Sequence, residues 1–261
     1  MPPVSRSAPL TLVPNRRPPP DTLVYAIGDI HGRSDLLDRL HEAIAADVRR
    51  RKPGRAVVVY LGDYIDRGGD SAGVIRRLTA PPEGVPDNTI ERVFLRGNHE
   101  AMMLGFLDGD SALLDRWLWN GGVPMLESYD LAPMTGSRGD IQGAGWADAV
   151  RADLMRALPP AHAAFLRGLV SHCRIGDLFF VHAGVRPGVA LEAQSPDDML
   201  WIRDDFLRSA ADFGALVVHG HTVAPEPQVL ANRIGVDTGA YKSGRLTAAR
   251  FEGDTVAFLA T

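Results

Sequence analysis

A chain of 261 residues with 45% hydrophobic side chains can bury a sizeable core, and its net charge of -4 gives no electrostatic reason to expect nucleic acid or an anionic membrane as a partner. Cys173, the single cysteine, excludes an internal disulfide. Phe179 stands six positions after it, where a cysteine phosphatase needs arginine, so that chemistry is excluded too and Cys173 reads as structural.

Residues 1–20, MPPVSRSAPLTLVPNRRPPP, carry seven prolines and no apolar stretch of signal-peptide length. They read as a disordered tail on a cytoplasmic protein, followed by one domain over 21–261. The first apolar run, TLVYAI, has strand length and composition. SDLLDRLHEAIAADVRR comes next as a helix with Ser34 as N-cap and Leu36, Leu37, Leu40 and Ile44 on one face. The basic run RRRKPGR tops its C-terminal end, where cations offset the helix dipole. AVVVYL, RVFL, LFFV and LVV are four further strands. Between them, Trp119 to Arg156 is rich in glycine and lacks a period, which predicts a loop or lid near a site. QVLANRIGVDTG, RLTAARFEG and TVAFLAT close the chain as consecutive strands joined by glycine-containing turns. Alternating short apolar runs and amphipathic segments predict an α/β fold.

The residues just past each strand carry the chemistry. TLVYAI leads into GDIHG, AVVVYL into GDYIDRG, RVFL into RGNHE, LFFV into HAG and LVV into HGHT. Five strands thus deliver Asp29, His31, Asp63, Asn98, His182 and His221 from their C-terminal ends, where open α/β sheets form ligand crevices. In an extended segment Asp29 and His31, two apart, would leave the same face. Oxygen and imidazole donors without thiolate suit Mn, Fe, Zn or Co. Six donors exceed one tetrahedral site and suit a metal pair ~3.5–4 Å apart, the arrangement that hydrolyses phosphate esters by in-line attack of a hydroxide. Two divalent cations, Asp29, Asp63 and a bridging hydroxide sum to a charge of about +1, which attracts a phosphate dianion.

In this order the motifs resemble the phosphoprotein phosphatase branch of the calcineurin-like metallophosphoesterases, with Ile65 for valine as the departure within the three multi-residue motifs. WLWNGG, HAGVRPG, LWIRDDFL and VDTGAYKSGRLT are similar to its bacterial and phage members, and the resemblance covers nearly all of residues 22 to 250. It implies a metallophosphoesterase fold, a central β-sandwich flanked by helices in four αββα layers, with a dinuclear site at the strand ends. By this resemblance the first metal takes Asp29, His31 and Asp63, and Asp63 bridges to a second held by Asn98, His182 and His221. Val223 stands where other metallophosphoesterases carry a further histidine, which implies more water on the first metal. His99 resembles the general acid, Asp66 its orienting partner, and Arg67 and Arg203 the phosphate clamp. Arg203 could equally pair with Asp204 or Asp205. His219 is left between support of the site and plain packing, and His41, His162 and His172 lie outside every motif.

The activity so implied is a serine/threonine protein phosphatase with two divalent ions, manganese foremost, acting on a phosphorylated protein or a small phosphoester. A symmetrical bis(5'-nucleosyl)-tetraphosphatase is the alternative; such enzymes usually lack the carboxylate that Asp66 retains. A catalytically silent binding module would have lost a ligand, the acid or a clamp, and none is missing. Cleft walls that choose the leaving group are expected in 101–159 and 186–212.

Overall fold

The computed structural model describes residues 4–12, 16–80, 90–131 and 145–261. Strand β1 (Ser5–Arg6) and strand β2 (Leu10–Thr11) come first, within the stretch expected to be a disordered tail. Then β3 (Thr22–Ile27), β4 (Arg55–Tyr60) and β5 (Glu91–Phe94) lie parallel and side by side. Parallel neighbours need a crossover to connect them, and helices supply it here. Those crossovers are α1 (Ser34–Arg51) and α2 (Ser71–Thr79). The second sheet, in the order β6-β7-β8-β10-β9, is made of β6 (His172–Ile175), β7 (Leu178–Val181), β8 (Leu216–His219), β9 (Gln228–Val229) and β10 (Arg233–Gly235). The hairpin of β11 (Thr247–Glu252) and β12 (Thr255–Ala260) returns to the first sheet, antiparallel to β3. Gly253 takes the left-handed φ of 57° in its tight turn. Both β1 and β2 pair with the outer side of β12, so a row of backbone groups that would be an open edge is partnered.

Three apolar layers show why the strands read as unbroken hydrophobic runs. Val24, Ala26, Val57 and Val59 face Leu178, Phe180, Leu216 and Val218 between the two sheets. Alternate residues Leu23, Tyr25, Ile27 and Val58 face α1, α2 and the helices α3 (Asn98–Leu107), α6 (Trp146–Ala157) and α7 (Pro160–Arg167). Phe179, Val181 and Val217 face Met199 and Phe206, carried by α8 (Pro196–Trp201) and α9 (Asp204–Leu207). The result is the expected αββα stack. Strands buried on both faces lose the alternation that one wetted face would impose. Cys173 is packed against the inter-sheet layer, and burial pushes its thiol up to about 12, the opposite of a nucleophile.

Helix α1 buries Leu36, Leu37, Leu40 and Ile44 as predicted, and Arg49, Arg50 and Arg51 form its last turn. Its start corrects the sequence reading: Arg33 occupies the cap position, and the Ser34 hydroxyl donates to the Asp70 carboxylate, which itself caps α2 through the Gly73 N–H. The segment 119–156 is also corrected in part. It contains most of a helical stretch kinked at Gly121 (Leu118–Gly122), α5 (Val123–Glu127) and most of α6, while 132–144 lies outside the described residues. Glycines obscured the period without preventing helix, because packing of α5 on α2 and of α6 on α3 supplies what propensity lacks. Among the described residues no helix is long and apolar enough to cross a membrane.

One charged group sits inside the stack. Asp47, without exposure, accepts from the Tyr25 hydroxyl at 2.8 Å, Arg51 Nε at 3.1 Å and Arg250 Nη1 at 3.2 Å. Burial raises its pKa, but these donors and Arg50 outweigh burial and hold it down to about 2. A carboxyl depressed in the folded state stabilises above its unfolded pKa of about 3.9 and loses that contribution as pH falls through about 2. Asp47→Asn, which leaves Arg250 buried without its anion, is expected to cost about 3 kcal/mol at pH 7. The check is a thermal melt of both proteins from pH 7 to pH 2, with the difference shrinking at the acid end.

Candidate active site

All six predicted metal donors converge beyond the C-terminal ends of β3, β4, β5, β7 and β8, and every one is buried. The turns that bring them together are unusual in backbone. Among the described residues eight non-glycine residues have left-handed φ, and five belong to the motifs: His31 at 46°, Asp63 at 52°, Asp66 at 72°, Arg67 at 63° and His221 at 61°. Such conformations cost on the order of 1 kcal/mol or more each and persist where the surroundings over-determine them. Asp29 and His31 therefore do not share a face by strand alternation, as the sequence suggested. The chain has left the strand, and His31 is turned by its own left-handed φ. Gly62, with φ 99°, lets the β4 and β5 ends approach so closely that a Cβ would lie 2.5 Å from the Gly97 nitrogen.

Glu100, to which the sequence reading assigned no role, holds this crossing together. Its carboxylate accepts from the N–H groups of Asp63, Tyr64 and Gly97 at 2.8–2.9 Å and of Ile65 at 3.3 Å. It is the last residue of GNHE, so the signal lay within that motif.

The donor atoms form two groups that share Asp63. One comprises His31, Asp63 and His99, the other Asp63, His182 and His221, each with its donor atoms within 4.8 Å of one another. Asp63 Oδ2 is 3.5 Å from both His31 Nε2 and His182 Nε2. Asn98 Oδ1 is 2.9 Å from His182 Nε2 and 2.9 Å from His221 Nδ1. Backbone carbonyls orient the rings: Ile65 O at 2.8 Å from His31 Nδ1 and Leu61 O at 2.8 Å from His182 Nδ1, so each imidazole turns its Nε2 inward. This is how metal-binding histidines have their tautomer fixed. Burial lowers the pKa of all three donor imidazoles, His31 to about 3 and His221 to about 2, which keeps them in the neutral, ligating form. His221 faces the group with Nδ1, 3.2 Å from His182 Nε2. The donor chemistry therefore fits divalent cations.

Asp29 stands slightly apart, accepting from the His221 N–H at 3.1 Å with both oxygens. Its carboxyl is pushed well above the usual range by burial and by the charge of Asp237. Asp237, in VDTG, was not singled out by sequence; it is 3% exposed, bonds the Gly239 N–H at 2.8 Å, and burial raises it to about 6.

His99 and Asp66, the pair that the sequence suggested, lie in contact. His99 Nδ1 is 2.6 Å from Asp66 Oδ2, and its Nε2, 3.8 Å from Asp63 Oδ2, has no hydrogen-bond partner. Burial lowers the His99 pKa, but the charge of Asp63 and the bond to Asp66 outweigh it and hold the imidazole above its ordinary value. Arg67 Nη1 lies 3.0 Å from His31 Nε2, and its guanidinium covers the Tyr241 ring at 4.9 Å. Arg203 donates to Thr222 Oγ1 at 3.4 Å, while Asp204 pairs with Arg208 and Asp205 with Arg186. Trp201, covered by the Arg116 guanidinium at 4.3 Å, meets the His221 ring in a T-shaped contact. Arg116 and Trp201 fall in the two segments expected to wall the cleft; Tyr241 falls outside both. His219, the last residue of β8, packs edge-on against Phe206, and burial lowers it to about 4. His41 and His162 bond Tyr60 and Tyr129 away from the cluster, as read from sequence.

Known proteins are similar to this chain over most of its length. A family model described as calcineurin-like phosphoesterase matches residues 22–256. Serine/threonine-protein phosphatase 1 of Salmonella typhimurium is 30% identical over 235 residues, covering 88% of this chain and 92% of the relative. The asymmetrical bis(5'-nucleosyl)-tetraphosphatase PrpE of Bacillus subtilis is 30% identical over 242 residues, covering 86% of this chain and 89% of the relative. Among solved structures, a cold-active protein tyrosine phosphatase superimposes with a TM-score of 0.53 at 18% identity, over 90% of this chain and 78% of that one, which speaks to the fold alone. The chain is a hydrolytic enzyme of the calcineurin-like phosphoesterase family.

Proposed function

We propose that this enzyme is a phosphomonoesterase that uses two divalent cations, Mn2+ foremost, to hydrolyse phosphoserine and phosphothreonine in proteins. The observation that supports it most is the sharing of Asp63 between two donor groups, with a carboxylate-held His99 beside them. Asp29, His31 and Asp63 would hold one cation, and Asp63, Asn98, His182 and His221 the other. Cations there supply an acidified water as nucleophile and neutralise the phosphoryl oxygens. The remaining work belongs to the chain. Arg67 and Arg203 orient the phosphoryl group through paired N–H donors. His99 Nε2 donates its proton to the leaving oxygen, and Asp66 keeps the ring aimed and cationic until then.

A second reading, hydrolysis of dinucleoside tetraphosphates, has the Bacillus subtilis relative in its favour at the same identity as the Salmonella phosphatase. Retention of Asp66 speaks against a symmetrical enzyme of that kind and leaves the asymmetrical one to the assay. Parallel turnover of a phosphoserine peptide and of diadenosine tetraphosphate decides between them; a kcat/KM at least tenfold higher on the nucleotide would reverse the assignment, and two ADP or ATP plus AMP would identify the bond cut. Chelator treatment is expected to remove activity on either substrate, and Mn2+ to restore it. Full activity in chelator, with no metal detected by mass spectrometry, would refute the metal-dependent reading.

A further inference from the structure

The carboxylate that aims His99 is itself held from a third direction. Asp66 is fully buried, and its two oxygens share one donor, the indole Nε1 of Trp117, at 3.1 Å from Oδ1 and 2.9 Å from Oδ2. Its own N–H donates to Ser71 Oγ at 3.0 Å. Trp117 ends α4 (Leu113–Trp117), has no exposure, and stacks obliquely on Phe106 with 5.9 Å between ring centroids. The chain then kinks at Gly121, which has φ 110° and whose carbonyl accepts the Arg67 N–H at 2.9 Å. Gly122 lies flat against the indole, and a Cβ there would meet Trp117 Cε2 at 2.8 Å. WLWNGG is therefore tied to both members of the Asp66-Arg67 pair.

We propose that Trp117 is a positioning residue for the general acid, its indole N–H fixing the plane of the Asp66 carboxylate so that Oδ2 meets His99 Nδ1 and Nε2 faces the leaving oxygen. The inference rests on the reading of His99 as that acid. A carboxylate held by one imidazole retains a soft, roughly two-fold terminal torsion. A donor shared between both of its oxygens removes that freedom. An indole N–H is donor only, so it orients the carboxylate without competing for the proton that His99 delivers. Burial of all three groups means that water cannot substitute for a lost partner.

The test uses substrates that differ in their need for a proton at the leaving oxygen: phenyl phosphate, which needs one, and p-nitrophenyl phosphate, whose leaving group departs unaided. Trp117→Phe keeps an aromatic ring and loses the N–H. It is expected to lower kcat on phenyl phosphate by about 10- to 100-fold, the usual cost of a lost outer partner in such a site, with KM little changed. On p-nitrophenyl phosphate the loss should stay under about threefold, within what a minor packing change costs. Combined with Asp66→Asn, the same substitution should add nothing, because both act through one carboxylate. Gly122→Ala, which pushes on the indole without removing it, should give a weaker loss of the same selectivity and serves if Trp117→Phe does not fold. Phe106→Leu, a packing control, should lower Tm without selectivity. Equal losses of Trp117→Phe or Gly122→Ala on both substrates, or losses that add to those of Asp66→Asn, would overturn the role of Trp117. Equal losses from His99→Asn on both substrates would instead remove the acid reading on which it stands.

Discussion

Asp63→Asn is expected to lower kcat by about 10³-fold or more on any phosphomonoester, the equivalent of about 4 kcal/mol of lost transition-state stabilisation. The substitution keeps the shape of the side chain and an oxygen for the His99 N–H, which Asp63 Oδ1 now accepts at 3.1 Å. What it removes is charge. Burial pushes the Asp63 carboxyl up, yet the imidazoles crowded around it, His182, His99, His31 and His221, draw it below the usual range, and of these His99 is the one whose cationic form is favoured. No other residue belongs to both donor groups, so no neighbour compensates. Kinetics should be read beside metal content by mass spectrometry and a circular dichroism spectrum. Turnover near the parent level with two bound ions would remove Asp63 from the centre of the proposal.

His99→Asn is expected to cost about 10²- to 10⁴-fold on phosphoserine peptide and far less on an activated aryl ester, as loss of a general acid should. Geometry makes this variant doubly informative, because His99 also falls in the donor group with His31 and Asp63. If His99 were a ligand, the variant would lose metal. As an acid it should bind the same number of ions as the parent and lose only the step that protonates the leaving oxygen. The bond between His99 Nδ1 and Asp66, and the 3.8 Å from Nε2 to Asp63, favour the acid, since the ring is directed by a carboxylate that belongs to neither donor group.

Most strands and the candidate donors were legible in the sequence because β3, β4, β7 and β8 are buried along nearly their whole length and lead into glycine-flanked polar motifs, whereas β5 is only half-buried. TLVYAI, LFFV and the face of α1 lie where periodicity put them. Serine at position 34 was misread as a cap because cap propensity does not know that the Asp70 carboxylate waits 36 residues away. The Trp119–Arg156 stretch looked irregular because glycine content says what a backbone can do, and tertiary packing chose helix for much of it. Glu100 and Asp237 were visible as letters within the motifs, but three of the four N–H groups that one gathers and the carboxylate that the other adjoins come from separate segments.

By itself, then, the order of residues determined which side chains would stand at the strand ends, since alternation, burial and glycine turns are local and repeat along the chain. The tertiary structure alone decided which sheet each C-terminal strand joins, with β9 and β10 in one and β11 and β12 in the other. It also decided that an indole 51 residues distant would close on Asp66. Such contacts depend on how whole layers pack, and no local pattern encodes a meeting between segments that only the completed stack brings within hydrogen-bond distance.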